Sequence, residues 1–305
     1  MDEAGQTGQS SAALLAAVNR ELSGLLARPL ACGLYLLATP IGNLGDVSLR
    51  ALAIMVQAGV LCCEDTRHSR KLLDRYGIRR RLQAYHDHNE AGQLSWVLER
   101  LAKGESVALM SDAGTPLVSD PGFKLVRSAL EAGHCVFAIP GASAVLAALS
   151  SSGLPSDCFT FAGFLPPKLG QRRERLHELR SVAGTLIFFE APGRMASSLG
   201  SLAEVFGPSC PAAVARELTK LHEENRRGTL AELQLWAAGS ELRGECVILA
   251  APRRDANTEA SEDQICAALG NESQGSLRDR VDAVAALLRA PRKKVYDLAL
   301  RSRKD

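Results

Sequence analysis

The segment SDAGTPLVSDPG, residues 111–122, places aspartate carboxylates, hydroxyls, two glycines and two prolines between a strand-like and a helix-like stretch. A strand-to-helix connection needs only about two to six residues, so this loop is longer and chemically richer than the connection requires. Gly114 and Gly122 permit backbone conformations and close approaches that a Cβ would prevent, and the prolines restrict the loop to few shapes. The pattern indicates a loop that presents polar groups to a ligand. An ordered loop without a ligand is the alternative.

Apolar runs alternate with helix-period segments through the first half of the chain. The runs are GLYLLA, GVLCCE, SVALM and CVFAIP, and the helical segments begin near Ser48, Arg67, Ala91, Gly122 and Ala142. This alternation predicts a parallel sheet with helices on its faces. Loops rich in polar residues, glycine or proline follow the four strands at 39–46, 64–70, 111–122 and 140–143. Because ligands of such sheets bind beyond the carboxyl ends of the strands, we expect these loops to converge on one rim.

A boundary that contains glycine and proline, near residues 151–158, divides the chain. We predict an N-terminal extension over 1–31, an α/β domain with a parallel sheet over 32–152, a second α/β domain over 153–252, and a linker with a helical segment over 253–305. The second domain is predicted from the strand-like runs CFTFAGF, GTLIFFE, AAVARE and GECVILA, with helices near 169–183, 194–206 and 229–238 and a turn at 219–229. Residues 262–305 are predicted to form two or three short helices.

Composition and charge favour a globular protein with roughly two domains, since the 305 residues are 46% hydrophobic and 23% charged. No stretch of about 18 consecutive apolar residues predicts a membrane helix, and the first residues lack the basic start of a signal peptide, so we expect a cytoplasmic protein. The eight cysteines show no CxxC spacing, which favours buried thiols over disulfides or zinc. A net charge of +2 does not by itself indicate a nucleic-acid partner.

Motifs of other enzyme classes are absent or incomplete. The first strand is not followed by GxGxxG, and no GxxxxGK[ST] occurs, so dinucleotide-binding and phosphate-loop functions are disfavoured. The segment GASAV has Val145 where a nucleophile elbow requires a second glycine, which disfavours a serine hydrolase. His86, His88 and Glu90 could offer ligands to a metal, but no second ligand cluster accompanies them, and we predict no metal site.

Seven motifs in register carry a resemblance to a known family. They are LATPIGNLGDVSLRAL, CEDTRHSRKLLDRYGI, MSDAGTPLVSDPGF, IPGASAVLAALSSSGLPSDCFTFAGFLPPK, FFEAPGR, AVARELTK and GECVILA. From about Gly33 to the C-terminus, the chain resembles the ribosomal RNA small subunit methyltransferase I family, which belongs to the tetrapyrrole methylase superfamily. In other members of the superfamily the loop has Gly-Asp-Pro where this chain has Gly114, Thr115 and Pro116.

The resemblance implies a fold of two α/β domains with the cofactor in the cleft between them, plus a small C-terminal helical segment. It implies transfer of a methyl group from S-adenosyl-L-methionine to the ribose 2′-hydroxyl of a cytidine in the decoding region of small-subunit ribosomal RNA. The substrate is either the RNA or the assembled small subunit, and a homodimer is expected. A methylase of a small tetrapyrrole precursor is the alternative within enzymes. An RNA-binding protein without catalysis is the alternative outside them.

The resemblance also implies a cofactor site formed by the loops of both domains. The expected residues of the first domain are Asp112, Ala113, Gly114, Thr115, Pro116, Val118, Pro140, Gly141, Ala142 and Ser143. Those of the second are Phe189, Glu190, Ala191, Leu218, Gly244 and Glu245. Backbone amides and carbonyls with an apolar slot suit such a cofactor. For Glu190 and Glu245, a surface carboxylate at the end of a strand is the alternative.

Methyl transfer from a sulfonium depends first on in-line placement of the attacking oxygen, and a general base that removes the hydroxyl proton adds to the rate. The candidates for that base on the predicted rim are Asp46, Glu64, Asp65 and His86, which the sequence does not rank. An ion pair between Asp65 and Arg67 that shapes the turn is the alternative for Asp65.

Positive charge is concentrated in two segments that could contact RNA phosphates. Residues 167–180 hold five Lys or Arg against two Glu, and residues 289–304 hold seven against one Asp. Neutralising phosphates releases counterions, which favours such clusters in RNA-binding proteins. The candidate RNA contacts are Lys168, Arg172, Arg173, Arg292, Lys293 and Lys294. A solvated face without an RNA partner is the alternative for both segments.

Overall fold

A computed structural model describes residues 3–86, 89–252, 262–271, 276–288 and 290–301 of the chain. The chain divides into two compact units, residues 1–250 and 251–305, and each is described by itself. No helix in the described ranges is both long enough and apolar enough to cross a membrane. The larger unit contains two five-stranded sheets.

The first sheet is parallel throughout, as the alternating pattern predicts. Its strands are β1 Gly33–Leu37, β2 Val60–Cys63, β3 Gln83–Ala84, β4 Ser106–Met110 and β5 Val136–Ile139, in the order β3-β2-β4-β1-β5. The helices of this part are α1 Glu3–Ala27, α2 Leu49–Gln57, α3 Thr66–Arg75, α4 Glu90–Ala102, α5 Phe123–Glu131 and α6 Ala144–Ser152. Strand β3 has only two residues and gives no periodic signal, so the sequence pattern does not predict it.

The strand order explains why three of the polar loops meet. Strand β1 lies between β4 and β5, and all three run in the same direction. The loops that leave their carboxyl ends therefore start side by side at one edge of the sheet, where parallel sheets bind ligands.

The second sheet is mixed. Its strands are β6 Phe159–Phe164, β7 Thr185–Glu190, β8 Pro211–Arg216, β9 Glu224–Thr229 and β10 Cys246–Ala250, in the order β6-β7-β10-β8-β9. Only the β6–β7 pair is parallel. The helices of this part are α7 Leu169–Leu179, α8 Met195–Phe206 and α9 Leu230–Ala238. Two sheets with helices confirm the predicted α/β fold class.

One prediction for the second sheet is wrong. Residues 219–229 are predicted as a turn, but Glu224–Thr229 forms the edge strand β9, which pairs with β8 along six residues. The sequence ENRRGT has no apolar alternation, because an edge strand tolerates charged side chains that a central strand would exclude. Its pairing therefore depends on the neighbouring strand and not on its own periodicity.

Helix α6 joins the two sheets in one core. Val145 and Leu149 of α6, together with Ile41 after β1, are buried against Ile187 of β7 and Leu249 of β10. The chain passes from the first sheet to the second directly after α6. Residues of the first sheet's loops are therefore held at a fixed position against the second sheet.

Helix α1 occupies most of the predicted N-terminal extension, and its end is fixed by a side chain of α2. The Gln57 Nε2 amide donates hydrogen bonds to the carbonyl oxygens of Leu26 at 2.7 Å and Arg28 at 3.0 Å. These carbonyls have no partner within the helix, so the amide acts as a C-terminal cap.

The smaller unit contains three helices within its described residues, α10 Glu262–Asn271, α11 Leu277–Leu288 and α12 Arg292–Arg301. They enclose a small apolar core of their own, which includes Ile265, Val281, Val284, Val295 and Leu298. Pro291 directly precedes α12, where the missing N–H of proline removes no helical hydrogen bond.

All eight cysteines lie in the described ranges and are free thiols. Cys62, Cys63, Cys210 and Cys246 are buried, as their apolar surroundings in the sequence predict. The other four are exposed, so the expectation of buried thiols is right for half of them. The four exposed cysteines lie outside the strands, so the apolar pattern of the strands does not predict their burial.

Candidate active site

A cavity of about 440 Å³ lies between the loops of the first sheet and the ends of strands in the second. Its volume is in the range of small-molecule sites, and its lining combines apolar side chains with a few polar groups. The lining residues of the first half are Ile41, Ala113, Gly114, Thr115, Val118, Ser119, Asp120, Ser143, Ala144 and Val145. Those of the second half are Phe164, Phe189, Glu190, Ala191, Pro192, Leu218, Gly244, Glu245, Cys246 and Val247.

The loop after β4 is fixed to the loop after β1 by reciprocal main-chain hydrogen bonds. The N–H of Thr39 donates to the Gly114 carbonyl at 2.9 Å, and the N–H of Gly114 donates to the Thr39 carbonyl at 2.9 Å. The Ser111 hydroxyl also donates to the Gly114 carbonyl at 2.8 Å, and the Thr39 hydroxyl donates to the Ser111 carbonyl at 3.0 Å. Gly114 has φ +84°, which is a conformation that favours glycine.

The loop after β5 forms the adjacent wall. The Thr115 hydroxyl donates to the Ala142 carbonyl at 3.3 Å, which connects this loop to the one after β4. Ser143 caps α6 by accepting from the Leu146 N–H at 3.4 Å. A Cβ on Gly141 would lie 2.8 Å from the Ala38 Cβ, so glycine allows this loop to pass directly over β1's end.

The wall from the second sheet contains a buried carboxylate that holds its own turn. Glu190 is 2% exposed and accepts from the Ala191 N–H at 2.8 Å and from Arg194 Nε at 2.7 Å, and it also accepts from the Ser198 hydroxyl. Both carboxylate oxygens therefore accept hydrogen bonds from neighbouring residues of the protein. Phe189 adds an aromatic surface, with the ring of Phe161 at 4.8 Å centroid distance.

A second charged cluster closes the site at the ends of β8 and β10. Glu217 accepts from the Glu245 N–H at 2.9 Å and from the Lys220 ammonium at 2.9 Å, and Lys220 also contacts the Glu245 carboxylate at 3.1 Å. The Glu245 N–H, followed by Lys220, lowers the pKa of Glu217 below its ordinary value. A Cβ on Gly244 would lie 2.3 Å from Glu217 Oε1, so this close approach requires glycine.

The loop after β8 also reaches the loop after β1. The Asn43 N–H donates to the Thr219 hydroxyl at 3.1 Å, and a Cβ on Gly42 would lie 2.4 Å from Lys220 Cγ. These contacts join the two halves across one end of the cavity.

Backbone strain is concentrated in the two loops that face each other across the cavity. The non-glycine residues with positive φ in the described part of the chain are Leu117 (73°), Ser119 (65°), Glu217 (51°) and Thr219 (65°). Such conformations cost on the order of 1–3 kcal/mol each and persist only where the surroundings fix them, which is a common property of functional sites.

Asp120 is an acidic residue of the cavity lining, and one of its two carboxylate oxygens lacks a hydrogen-bond partner in the described part of the chain. Its Oδ2 atom is buried and has no hydrogen-bond partner within the ranges that the structure describes. Burial, followed by the nearby Glu64 carboxylate, raises the pKa of Asp120 to about 6. The sequence pattern does not distinguish Asp120 from the other polar residues of the loop 111–122, because its burial depends on tertiary packing.

Comparison with known proteins gives a consistent result. The family described as Tetrapyrrole (Corrin/Porphyrin) Methylases matches residues 33–234. A protein named ribosomal RNA small subunit methyltransferase I from Mesorhizobium japonicum is 54% identical over 252 residues, which are 82% of this chain and 86% of that protein. A protein of the same name from Xylella fastidiosa is 49% identical over 267 residues, which are 86% of this chain and 97% of that protein.

The chain belongs to the tetrapyrrole methylase family. This confirms the resemblance indicated by the sequence motifs, including the similarity to ribosomal RNA small subunit methyltransferase I proteins. The fold is also that of a solved structure, a uroporphyrin-III C-methyl transferase from Thermus thermophilus complexed with S-adenyl homocysteine. That structure has a TM-score of 0.51 and 20% identity, and the match covers 72% of this chain and 97% of the other.

In this methylase, most of the expected cofactor residues line the one cavity described above. They are Ala113, Gly114, Thr115, Val118, Ser143, Phe189, Glu190, Ala191, Leu218, Gly244 and Glu245. Outside the lining lie Asp112, Pro116, Pro140, Gly141 and Ala142. Of these, Asp112 accepts from the Asp65 N–H at 3.0 Å, so its carboxylate connects the loops after β4 and β2. The lining residues that sequence reasoning missed are mainly apolar, and their positions follow from packing between the halves.

The four candidate bases lie outside the cavity lining. Asp46 is exposed in a short turn after β1. Asp65 caps α3 and pairs with Arg67 at 2.9 Å, and hydrogen bonds from Arg67 lower the pKa of Asp65 to about 2. Since a weak base is a poor proton acceptor, this environment disfavours a catalytic role for Asp65. Glu64 is half-buried and acts electrostatically on Asp120.

His86 also lies outside the lining, and its backbone N–H donates to Asn89 Oδ1 at 2.9 Å. The alternative of a metal site included His88, which lies outside the described residues. Glu90 is bound by the Lys124 ammonium at 2.7 Å. Within the described ranges, no group of three His, Cys, Asp or Glu residues has the arrangement of a metal site.

Arg172, one of the predicted RNA contacts, is a buried side chain in the structure. It is 4% exposed, and its guanidinium donates to the Ser201 hydroxyl at 2.9 Å and to the Pro167 carbonyl at 3.2 Å. The guanidinium therefore fixes α7 to α8 instead of facing solvent. A charge count along the sequence cannot distinguish the buried face of a helix from the exposed one when a cation occupies it.

The remaining RNA candidates lie at or near the surface. Lys168, directly before α7, and Arg173 on α7 are exposed, and Arg173 pairs with Glu204 at 2.7 Å. In the smaller unit, Arg292 and Lys293 are exposed on α12, and Arg292 pairs with Asp282. Lys294 is half-buried.

Replacing Glu217 with Gln should lower the stability of this methylase at neutral pH by about 1 kcal/mol, because the charge-assisted hydrogen bonds that hold the loop are weakened. The folded state lowers the pKa of Glu217, so its contribution is present above the unfolded pKa and is lost as the pH falls through the folded value. We expect the difference in melting temperature between wild type and variant to narrow from pH 7 towards pH 4. The exposed Glu241→Gln serves as the control, and an equal pH-dependent loss in both variants would contradict the assignment.

Proposed function

We propose that this protein transfers a methyl group from S-adenosyl-L-methionine to the ribose 2′-hydroxyl of a cytidine in the decoding region of small-subunit ribosomal RNA. The observation that carries the proposal is the 54% identity to a ribosomal RNA small subunit methyltransferase I over most of both chains. The cavity formed by loops of both sheets supports it, because the motif loops lie on its walls.

The residues around the cavity fit S-adenosyl-L-methionine. The cavity of about 440 Å³ has apolar surface from Val118, Leu218 and Phe189 for the adenosine part and main-chain groups of the loop at Gly114 for the polar ends. Glycines at 114 and 244 allow those main-chain groups to come close. When bound, this cofactor supplies a methyl group on a sulfonium, whose bonding electron pair stays with sulfur on transfer.

The chain's own residues supply position and shielding. The hydrogen bonds between Thr39 and Gly114 fix one wall, and the contacts of Asn43 with Thr219 fix the opposite end. Holding two reactants in line can provide effective molarities on the order of 10⁵ M or more, which makes a rigid cavity the main catalytic device.

The exposed cations of α7 are the proposed RNA path in the larger unit. Phe164 lines the cavity, and Lys168 follows it by four residues at the start of α7. RNA that contacts Lys168 and Arg173 would therefore pass near the cavity's opening. In the smaller unit, the exposed basic residues of α12 are proposed as a second phosphate contact, as the resemblance implies.

Methylation of a small tetrapyrrole precursor is the second candidate, since the family description names corrin and porphyrin methylases. The names of the relatives at 54% and 49% identity favour the RNA substrate. The cytoplasmic location, the homodimer, and the choice between free RNA and assembled subunit are further proposals that rest on the resemblance.

Mass spectrometry of ribosomal RNA from a strain that lacks this protein tests the function. We expect one ribose methyl group on a cytidine of the small-subunit RNA to disappear and to return when the gene is restored. Purified protein with labelled S-adenosyl-L-methionine should methylate small subunits or their RNA from the deletion strain. Unchanged ribose methylation in the strain, together with labelling of a tetrapyrrole precursor, would replace the proposal with the second candidate.

Replacing Gly114 with Ala should weaken binding of S-adenosyl-L-methionine by about tenfold. Alanine at φ +84° costs roughly 1–2 kcal/mol, and the loop that forms the wall would shift to relieve it. Calorimetric titration measures the affinity. Gly77→Ala is the matched control, because Gly77 has φ +66° with no atom within 4 Å of a Cβ and lies outside the cavity lining. Both variants should lose similar stability, and equal affinities would argue against the loop as a cofactor wall.

Reversing two charges of α7, Lys168→Glu with Arg173→Glu, should weaken methylation of the subunit and leave cofactor affinity unchanged. Loss of phosphate contacts makes the dependence of RNA affinity on salt shallower, by about 1 in the logarithmic slope per contact. The control is Lys103→Glu with Arg127→Glu, which makes the same charge change at exposed positions of the first half. If both double variants bind RNA equally well at moderate salt, the α7 cations are not on the RNA path.

A further inference from the structure

The cavity contains four side chains that could accept a proton by their chemistry, and the structure separates them. Among the lining residues they are Asp120, Glu190, Glu245 and Cys246. Each has different partners, so their availability for chemistry can be compared directly.

Three of these groups are poorly suited to accept a proton from a substrate. The Glu190 carboxylate is buried and saturated by the donors of its own turn. The Glu245 carboxylate is 72% exposed and paired with Lys220. Burial raises the pKa of the Cys246 thiol to about 11, so it stays protonated at neutral pH.

We infer that Asp120 is the general base of the reaction and receives the proton of the ribose hydroxyl that attacks the methyl group. The inference rests on the proposed function and deepens it by naming a group at the same site. Asp120 lines the cavity, and its buried Oδ2 has no hydrogen-bond partner in the described part of the chain. An unpaired buried oxygen is costly unless a ligand supplies a donor, and a hydroxyl is such a donor.

The backbone on both sides of Asp120 is restricted. Ser119, directly before it, has φ 65°, and Pro121, directly after it, restricts the chain. Gly122 starts α5 with φ +118°, and a Cβ there would lie 2.7 Å from Leu109 Cδ2. The carboxylate is therefore carried by a loop with little backbone freedom, which favours a well-positioned base.

The charges facing Asp120 suit a base that works near neutral pH. Burial, followed by the carboxylates of Glu64 and Asp112, raises its pKa to about 6, while the nearby Ser111 hydroxyl donates its own proton to the Gly114 carbonyl. Above that pH the carboxylate is ionised and still has substantial proton affinity, which is the best compromise for general-base catalysis. As the hydroxyl oxygen bonds to the methyl carbon, its proton passes to Asp120 and afterwards to water.

The test compares wild type with Asp120→Asn, using small subunits from the deletion strain as substrate. We expect kcat to fall by about 10²-fold or more. Calorimetric affinity for S-adenosyl-L-methionine should change by less than about threefold, since Asn keeps the shape of the wall. The wild-type rate should fall as the pH is lowered through about 6, and the variant should lack this limb. Asp120→Glu should recover part of the activity.

A spectroscopic measurement gives a readout independent of turnover. Carbon NMR of the aspartate carboxyls in the protein without ligands should show one resonance that titrates near pH 6 and is absent from Asp120→Asn. Titration near the ordinary value of about 3.9 would overturn the inference. Asp157→Asn, at an exposed position before β6, is the matched control and should retain wild-type activity.

The outcomes separate the two proposals. If wild type methylates the subunit and Asp120→Asn is equally fast with an unchanged pH profile, the role of Asp120 is wrong and the proposed function stands. If wild type methylates neither the subunit nor its RNA, the proposed function fails and the role of Asp120 fails with it.

Discussion

The reciprocal hydrogen bonds between Thr39 and Gly114 are the constraint on which the site depends. They join the loops of the adjacent strands β1 and β4, and they give the Gly114 carbonyl a second donor in Ser111. With these main-chain groups satisfied, the loop 111–122 can carry two non-glycine residues with positive φ, Leu117 and Ser119. The shape of the cavity wall therefore follows from backbone pairing, and the exposed side chains of the loop contribute less to it.

This wall forms a cavity only because the second sheet is held opposite to it. Helix α6 begins at the loop after β5 and packs its apolar face on β8 and β10, so one element belongs to the core of both halves. Glu217 and Lys220 then close the far end through hydrogen bonds to Glu245. The cavity walls are therefore held in place by contacts from both sheets.

Sequence patterns predicted the structural features that depend on residues close together in the chain. Alternating apolar runs located all the strands of the first sheet except β3, and the glycine and proline positions located the cavity loops. Properties determined by tertiary contacts could not be predicted in the same way. Glu224–Thr229 is a strand because it pairs with the edge of β8. Arg172 can be buried because Ser201 and two proline carbonyls accept hydrogen bonds from its guanidinium. The four predicted bases lie outside the cavity lining, whereas packing places Asp120 in it.

Asp120 also shows why packing alone does not account for the site. A carboxyl whose pKa is raised to about 6 on folding destabilises the folded state as the pH rises above its unfolded pKa, because folding then has to keep a charged group in a buried position. The sign is opposite to that of Glu217, whose hydrogen bonds stabilise its ionised form. The carboxylates of Glu64 and Asp112 add repulsion that raises the pKa of Asp120 further. A side chain that opposes folding on a strained loop, at the wall of the cavity, is explained by the chemistry it can perform there and not by the stability it provides.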